Sequence, residues 1–241
     1  MGDKRVALVT GANKGIGFEI AKQLGNRGVT VLVGARDEAR GIAAVNRLKA
    51  QGIAAQFVLL DVKDQHTIDE AADSIAHRYG KLDILVNNAG IFLNEPLPSG
   101  NDVSTLKEVY ETNVFGVFRM TKTMLPLLRK SDGGRIVNMS SSLGSLTLNS
   151  DPDFELATFI VLGYNSSKTG VNALTVFFAN ELRNTPIKVN SADPGYCATD
   201  MNGYSGPRSP EQGASVAVYL ATLPDGGPTG GFFNEVGAVP W

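Results

Sequence analysis

Six short apolar runs set the limits on what this chain can fold into. Residues 5–10, 30–33, 56–60, 82–87, 135–139 and 188–192 draw mostly on Val, Ile, Leu and Ala. Near-continuous runs of this kind suit strands buried on both faces of a parallel sheet, since a strand with one wet face alternates apolar and polar residues. Between them lie stretches with helical periodicity, 15–24, 38–49, 67–79, 104–128 and 164–182, each long enough to cross back over a sheet. A further helix is signalled at Ser209-Pro210-Glu211-Gln212, where Ser caps, Pro fits the first turn and Gln212 completes a capping box; it extends to residue 223. The pattern predicts an α/β fold: a single doubly wound (Rossmann) domain over residues 1–241, with a mostly or wholly parallel sheet flanked by helices. Residues 91–103, 143–163, 200–208 and the tail after 224 read as irregular.

Composition narrows the partners. At 43% hydrophobic residues the chain can bury a substantial core, and 22 basic against 24 acidic residues give a formal charge of −2. No basic field is available for nucleic acid or an anionic membrane surface, so neither is expected and any phosphate must be held locally. Cys197 is the only cysteine, which fits a reducing compartment, and Met1 to Arg5 lead into the first run without an apolar core for export; a cytoplasmic protein is expected. His66 and His77 with one cysteine make no zinc-like cluster, so no metal is expected.

Directly after the first run stands Thr10-Gly11-Ala12-Asn13-Lys14-Gly15-Ile16-Gly17, opening a helix. In that setting Gly11 permits a tight turn, Gly15 lets backbone N–H groups approach a pyrophosphate, and Gly17 allows close packing. At the end of the second run, where an NAD site offers an acid to the ribose, the sequence reads Gly34-Ala35-Arg36. The acidic position is filled by Ala35, and Arg36 with Lys14 can neutralise a 2′-phosphate, so NADP(H) is favoured over NAD. Asp37, next to Arg36, is the one residue that complicates this reading.

Tyr164-Asn165-Ser166-Ser167-Lys168 begins a helix, and the spacing puts Tyr164 and Lys168 on one face. A phenol of pKa about 10 is a poor acid–base catalyst at neutral pH, whereas a neighbouring ammonium lowers that value.

Taken in order along the chain, the loop at 10–17, Asp61-Val62, Asn87-Asn88-Ala89-Gly90, Asn113, Ser140-Ser141-Ser142, Tyr164 with Lys168, and Asp193-Pro194-Gly195 resemble the classical short-chain dehydrogenase/reductase family over essentially the whole length. Within it, Gly11 to Gly17, Pro194 to Met201 and Ser209-Pro210-Glu211 are most similar to the NADPH-dependent carbonyl reductases. The resemblance implies reduction of a ketone or aldehyde carbonyl, or the reverse oxidation of an alcohol. Ser141 and Tyr164 would hold the carbonyl oxygen, Tyr164 would deliver the proton, Lys168 would tune the tyrosine and bind the nicotinamide ribose, and Asn113 would anchor a water linking Lys168 to solvent. Asp61 and Val62 would flank the adenine, Asn88, Ala89 and Gly90 lie along the cofactor, and Pro194, Gly195, Cys197 and Thr199 line the nicotinamide end. Ser141 is preferred to Ser140 because it stands three residues before Gly144.

The chain departs from the family between Ser141 and Tyr164, which stand 23 residues apart. An insert at roughly 145–163 carries Phe154, Leu156, Phe159, Ile160, Val161 and Leu162. It can wall the pocket, leaving the two long helices free to form a dimer or tetramer, or fold back over Phe177 or Phe178 and favour a monomer; the monomer is preferred. Residues 200–208 are short for a lid and suggest an open cleft, with Leu93, Leu143, Tyr196, Met201 and Tyr204 as candidate substrate walls. Other readings are a non-catalytic NADP-sensing regulator, or a reductase of enone, sugar or steroid substrates on the same scaffold.

Overall fold

In the computed structural model, which describes residues 4–241, the elements run β1 (Val6–Thr10), α1 (Gly15–Gly25), β2 (Thr30–Ala35), α2 (Glu38–Lys49), β3 (Ala55–Leu59), α3 (Gln65–Tyr79) and β4 (Ile84–Asn87). They continue with α4 (Val103–Tyr110), α5 (Gly116–Leu128), β5 (Arg135–Met139), α6 (Leu146–Asn149), α7 (Leu162–Glu181), β6 (Lys188–Ala192), α8 (Pro210–Ala221) and β7 (Phe232–Phe233). Residues 1–3 of the segment leading into β1 lie outside the described residues.

Alternate residues of β1 enter different cores: Val6 and Leu8 on one face, Ala7 and Val9 on the other. Both faces are covered, which is why the run is apolar throughout. On the Ala7 face, α1, α2 and α8 bury Ile20, Val45 and Val218; on the Leu8 face, α3, α5 and α7 bury Ile75, Met124 and Phe178. The sheet has the order β3-β2-β1-β4-β5-β6-β7 with every neighbouring pair parallel. Strand order reverses between β1 and β4, and such a reversal opens a crevice beyond the carboxyl ends of the strands. Among the described residues no helix is long and apolar enough to cross a membrane.

Three features differ from the sequence expectation. A seventh strand, β7, pairs Phe232 with Ser191 and Phe233 with Ala192, while the buried Phe232 stacks on Trp241 with ring centroids 5.7 Å apart. The expected helix at 104–128 is two α-helices joined by a π-helical turn over Glu111–Phe115. The insert does not cover α7. Phe177 is 71% exposed, and Phe178 is buried by its own core and by Phe118, 6.2 Å away between centroids. The covering argument for a monomer therefore falls: after the short α6 the insert runs toward Phe92 and Tyr164 instead, where Phe159 stacks on Phe92 at 6.0 Å.

Candidate active site

Where the strand order reverses, the end of β1 is tied to the end of β4. The Thr10 hydroxyl accepts from the backbone N–H groups of Asn88 and Ala89, both at 2.9 Å, and the Asn88 side-chain amide donates back to the carbonyls of Thr10 (2.8 Å) and Gly11 (3.3 Å). Asn88 lines the crevice, but its amide is spent on shaping the glycine-rich loop. That loop tolerates no added carbon at two places. A Cβ on Gly17 would lie 2.4 Å from Asn88 Nδ2 and 2.6 Å from the Gly11 carbonyl, and Gly11 itself has φ +64° with Ala89 Cα only 3.1 Å from where its Cβ would be. The result is a cleft of about 380 Å³ bordered by the loop, by Asp61 and Val62 after β3, and by Asn88, Ala89 and Gly90 after β4.

At one end, Lys14 and Arg36 both border the cleft. Asp37 does not: its carboxylate accepts from Arg40 N at 2.9 Å and caps α2, which removes it from competition with Arg36. Lys14 is paired with Asp200, so an ion pair bridges the glycine-rich loop and the segment after Thr199.

At the other end, Tyr164 and Lys168 stand one turn apart on α7. Lys168 is buried, its Nζ donates to the Met139 carbonyl at 2.8 Å, and it lies 5.5 Å from the centroid of the Tyr164 ring. The Ser141 hydroxyl accepts from Leu143 N at 3.2 Å and stands close enough to the Tyr164 phenol to favour its ionised form, although Ser141 itself does not border the cleft. Burial and the nearby Asp193 carboxylate push that phenol well above its ordinary value, opposed only by Ser141; burial brings Lys168 down to about 8, opposed by Asp193. These directions differ from the expectation that Lys168 lowers the tyrosine. A desolvated ammonium committed to a carbonyl does less for the phenol than the loss of water does against it. Gly144 lets the turn at 142–144 meet α7, since a Cβ there would fall 2.7 Å from Lys168 Cβ.

Asn113, in the π-helical turn, is 1% exposed. Its Oδ1 accepts from Ile91 N at 2.8 Å, and its Nδ2 donates to Ile91 O and Ser167 Oγ, both at 3.0 Å. Both amide hydrogens are used, so this side chain braces the loop after β4 against α7.

The remaining expected residues divide. Asn13, Gly15, Ile16, Pro194, Thr199 and Met201 border the cleft. Gly195 and Cys197 sit behind it: Gly195 packs on Arg208, and the Cys197 thiol donates to the Pro194 carbonyl at 3.3 Å and fills the space left by Gly213. Ser140 borders the cleft while its hydroxyl donates to the Lys168 carbonyl at 3.4 Å; Ser141 lies outside the cleft lining, near enough to the phenol to act on it. Leu93 and Leu143 do not border the cleft; Leu143 is buried beneath the insert, where its carbonyl accepts from Asn149. Tyr196 and Tyr204 are exposed outside it, Tyr196 turned toward the Ser205 hydroxyl. Missed residues include Phe92, whose ring meets Tyr164 edge-on at 5.4 Å, and Asp193, buried behind the pair. Phe92 had one available signal, its place two residues after Gly90.

Comparison with known proteins agrees with this geometry. The family model for short chain dehydrogenase matches residues 5–209. Carbonyl reductase [NADPH] 1 of Rattus norvegicus is 35% identical over 99% of both chains, and (+)-neomenthol dehydrogenase of Arabidopsis thaliana is 38% identical over 96% of both. The structure of NADPH-bound carbonyl reductase from chicken fatty liver superimposes with a TM-score of 0.86 at 27% identity, covering 99% of each chain. With the glycine-rich loop at the strand reversal and Ser141, Tyr164 and Lys168 gathered at its far end, the chain belongs to the short-chain dehydrogenase family and is carbonyl reductase-like.

Proposed function

We propose that the protein reduces ketone or aldehyde carbonyls with NADPH, and oxidises the corresponding alcohols in reverse, with Tyr164 as the proton donor. The observation that carries this reading is Tyr164 one turn before buried Lys168, with Ser141 close to the phenol, at one end of a cleft whose other end holds Arg36 and Lys14. The residues fit the cofactor. A Cβ on Gly11 or Gly17 would press on the loop's own neighbours, which keeps its backbone open to a pyrophosphate; Arg36, with Asp37 turned away into α2, suits a 2′-phosphate, and Lys14 can join it in exchange for its pairing with Asp200. NADPH bound there supplies the hydride.

The chain's own groups do the rest. Ser141 and Tyr164 present two hydroxyls to one carbonyl oxygen, stabilising the negative charge that develops on it. A phenol held above its ordinary value keeps its proton at neutral pH, the protonation state reduction requires, and gives it to a far more basic alkoxide. Lys168 maintains a cation behind the phenol. Phe92 and Phe159 furnish an apolar wall on the substrate side, which suits a carbonyl compound with an apolar body. Tyr164→Phe tests the assignment: turnover should fall by more than about tenfold, roughly 1.4 kcal/mol in barrier, while NADPH binding stays nearly unchanged. A variant that kept wild-type kcat would remove Tyr164 from the chemistry, and NADPH binding without turnover by the wild type against ketone, aldehyde, quinone and enone panels would favour a sensor.

A further inference from the structure

The helix that carries Tyr164 and Lys168 has no cap of its own. Val161 occupies the N-cap position of α7 in an extended conformation and offers no side-chain acceptor. A local Ser, Thr, Asp or Asn would ordinarily accept from the second or third backbone N–H of the helix. Here both are taken by one carboxylate from elsewhere in the chain. Glu95, in the connection between β4 and α4, accepts from Gly163 N at 2.7 Å and from Tyr164 N at 3.2 Å, across 68 and 69 positions of sequence. The second bond is to the main chain of the candidate proton donor itself.

Two further observations show that the surroundings are shaped for this contact. A Cβ on residue 163 would lie 2.6 Å from Glu95 Oε1 and 2.9 Å from Oε2, so only glycine admits the carboxylate at that distance. From the other side, the Asn101 side-chain amide donates to Glu95 Oε2, fixing the carboxylate in place. Glu95 also lies three residues beyond Phe92, whose ring leans on the Tyr164 ring. The same short stretch of loop therefore touches Tyr164 at its ring through Phe92 and at its backbone through Glu95. A carboxylate at a helix N-terminus is favoured by the helix dipole and by charge-assisted bonds, which makes this a firm anchor.

We propose that Glu95 is a positioning residue for Tyr164: it caps the catalytic helix from the substrate-side loop, setting the first turn of α7 against the wall that receives the substrate. The inference rests on Tyr164 being the proton donor. Glu95 does not border the cofactor cleft, so its loss should fall on the chemical step and leave NADPH binding alone.

The test compares Glu95→Ala, Glu95→Gln, Gly163→Ala, the double variant Glu95→Ala/Gly163→Ala and Tyr164→Phe, each assayed for kcat and KM with a ketone substrate, for NADPH Kd, and for thermal midpoint. Glu95→Ala and Gly163→Ala should each lower kcat on the order of tenfold, since a small misplacement of a reacting group costs that much or more, with NADPH Kd within about twofold. Glu95→Gln keeps one acceptor and should recover most of the loss. The double variant should be no worse than Glu95→Ala, because the three atoms nearest an added methyl at 163 all belong to the Glu95 carboxyl group; contacting sites are non-additive in this way. Wild-type kcat in Glu95→Ala, losses that multiply in the double variant, or an NADPH Kd that weakens in step with kcat would each overturn the proposal. Should Glu95→Ala fail to fold, Gly163→Ala and Glu95→Gln carry the same comparison. Tyr164→Phe separates the two levels: activity there defeats the proton-donor reading, whereas an inactive Tyr164→Phe beside a fully active Glu95→Ala defeats the positioning role alone.

Discussion

Arg36 and Asp37 are adjacent and carry opposite charges, and backbone geometry gives them different tasks. Asp37 is turned into the first turn of α2, where Arg40 N needs an acceptor; Arg36 is left at the border of the cleft. Replacing Arg36 by Asp should weaken NADPH and give the ribose of NADH a partner, moving the ratio of kcat/KM values by about tenfold or more, as expected for one charged contact. An unchanged ratio would make Arg36 a solvated bystander. Lys14 presents a subtler case, because its ammonium is already paired with Asp200 and a 2′-phosphate has to compete for it. Both side chains of that pair are about half exposed, 54% and 43%, so the competition is screened and worth no more than about 0.2–1 kcal/mol. Asp200→Asn should accordingly tighten NADPH by at most about fivefold, with the gain fading as salt is raised. Tighter binding that survives molar salt would speak against release of an ion pair.

Elements were legible in the sequence to the extent that their signal was local and repeated. The central strands announced themselves because burial on both faces disfavours polar alternation, as the split of Val6 and Leu8 from Ala7 and Val9 shows, while the edge strand β3, with Leu59 exposed, showed itself through its Phe-Val-Leu-Leu run alone. β7 carried no such signal: two residues have no periodicity, and it is a strand only because Asp193 N and Ser191 N find the Phe233 and Gly231 carbonyls. The π-helical turn at Glu111–Phe115 was likewise invisible, since five residues at a slightly wider winding do not disturb an apolar stripe. The turn places Asn113 where its amide joins the loop after β4 to α7 through three hydrogen bonds. Asn113→Ala would strand the partly buried Ile91 N–H and carbonyl, while Ser167 Oγ keeps its bond to the Tyr164 carbonyl at 2.7 Å, and each unmet buried group costs about 1–3 kcal/mol. Urea unfolding should show a loss of at least about 2 kcal/mol, larger than the roughly 1 kcal/mol typical of point substitutions. A smaller loss would mean that water replaces the amide and that the brace is dispensable.

Over the whole molecule, the parts of the site that sequence reveals are those held in one segment, such as the glycine-rich loop or Tyr164 and Lys168 on one helix turn. Glu95, Phe92 and Asp193 come to the same place only through the parallel topology, which sets the carboxyl ends of β4, β5 and β6 side by side. That convergence also couples the site to global stability. Burying Lys168 costs the fold something, because its ammonium is desolvated and its pKa falls from 10.5 to about 8. Below about pH 8 the group is protonated in both native and unfolded chains and the native state bears the full penalty. Between about 8 and 10.5 the unfolded chain holds a proton that the native chain has released, so stability attributable to Lys168 rises with pH, by at most about 1.4 kcal/mol per pH unit. Tyr164 acts in the opposite sense, but only above its ordinary value of 10, where the native chain keeps a proton that the unfolded chain loses. From pH 8 to 10 the tyrosine is silent, and the Cys197 thiol, which burial pushes up, contributes alike to the wild type and to a lysine variant and cancels in their difference. Without added NADPH, the unfolding free energy of the wild type relative to Lys168→Met should climb across that interval, measured by denaturant titration at pH 8, 9 and 10. Two curves that stay parallel would show that the buried lysine keeps its proton throughout, and that the Met139 carbonyl and the Asp193 carboxylate together offset its burial.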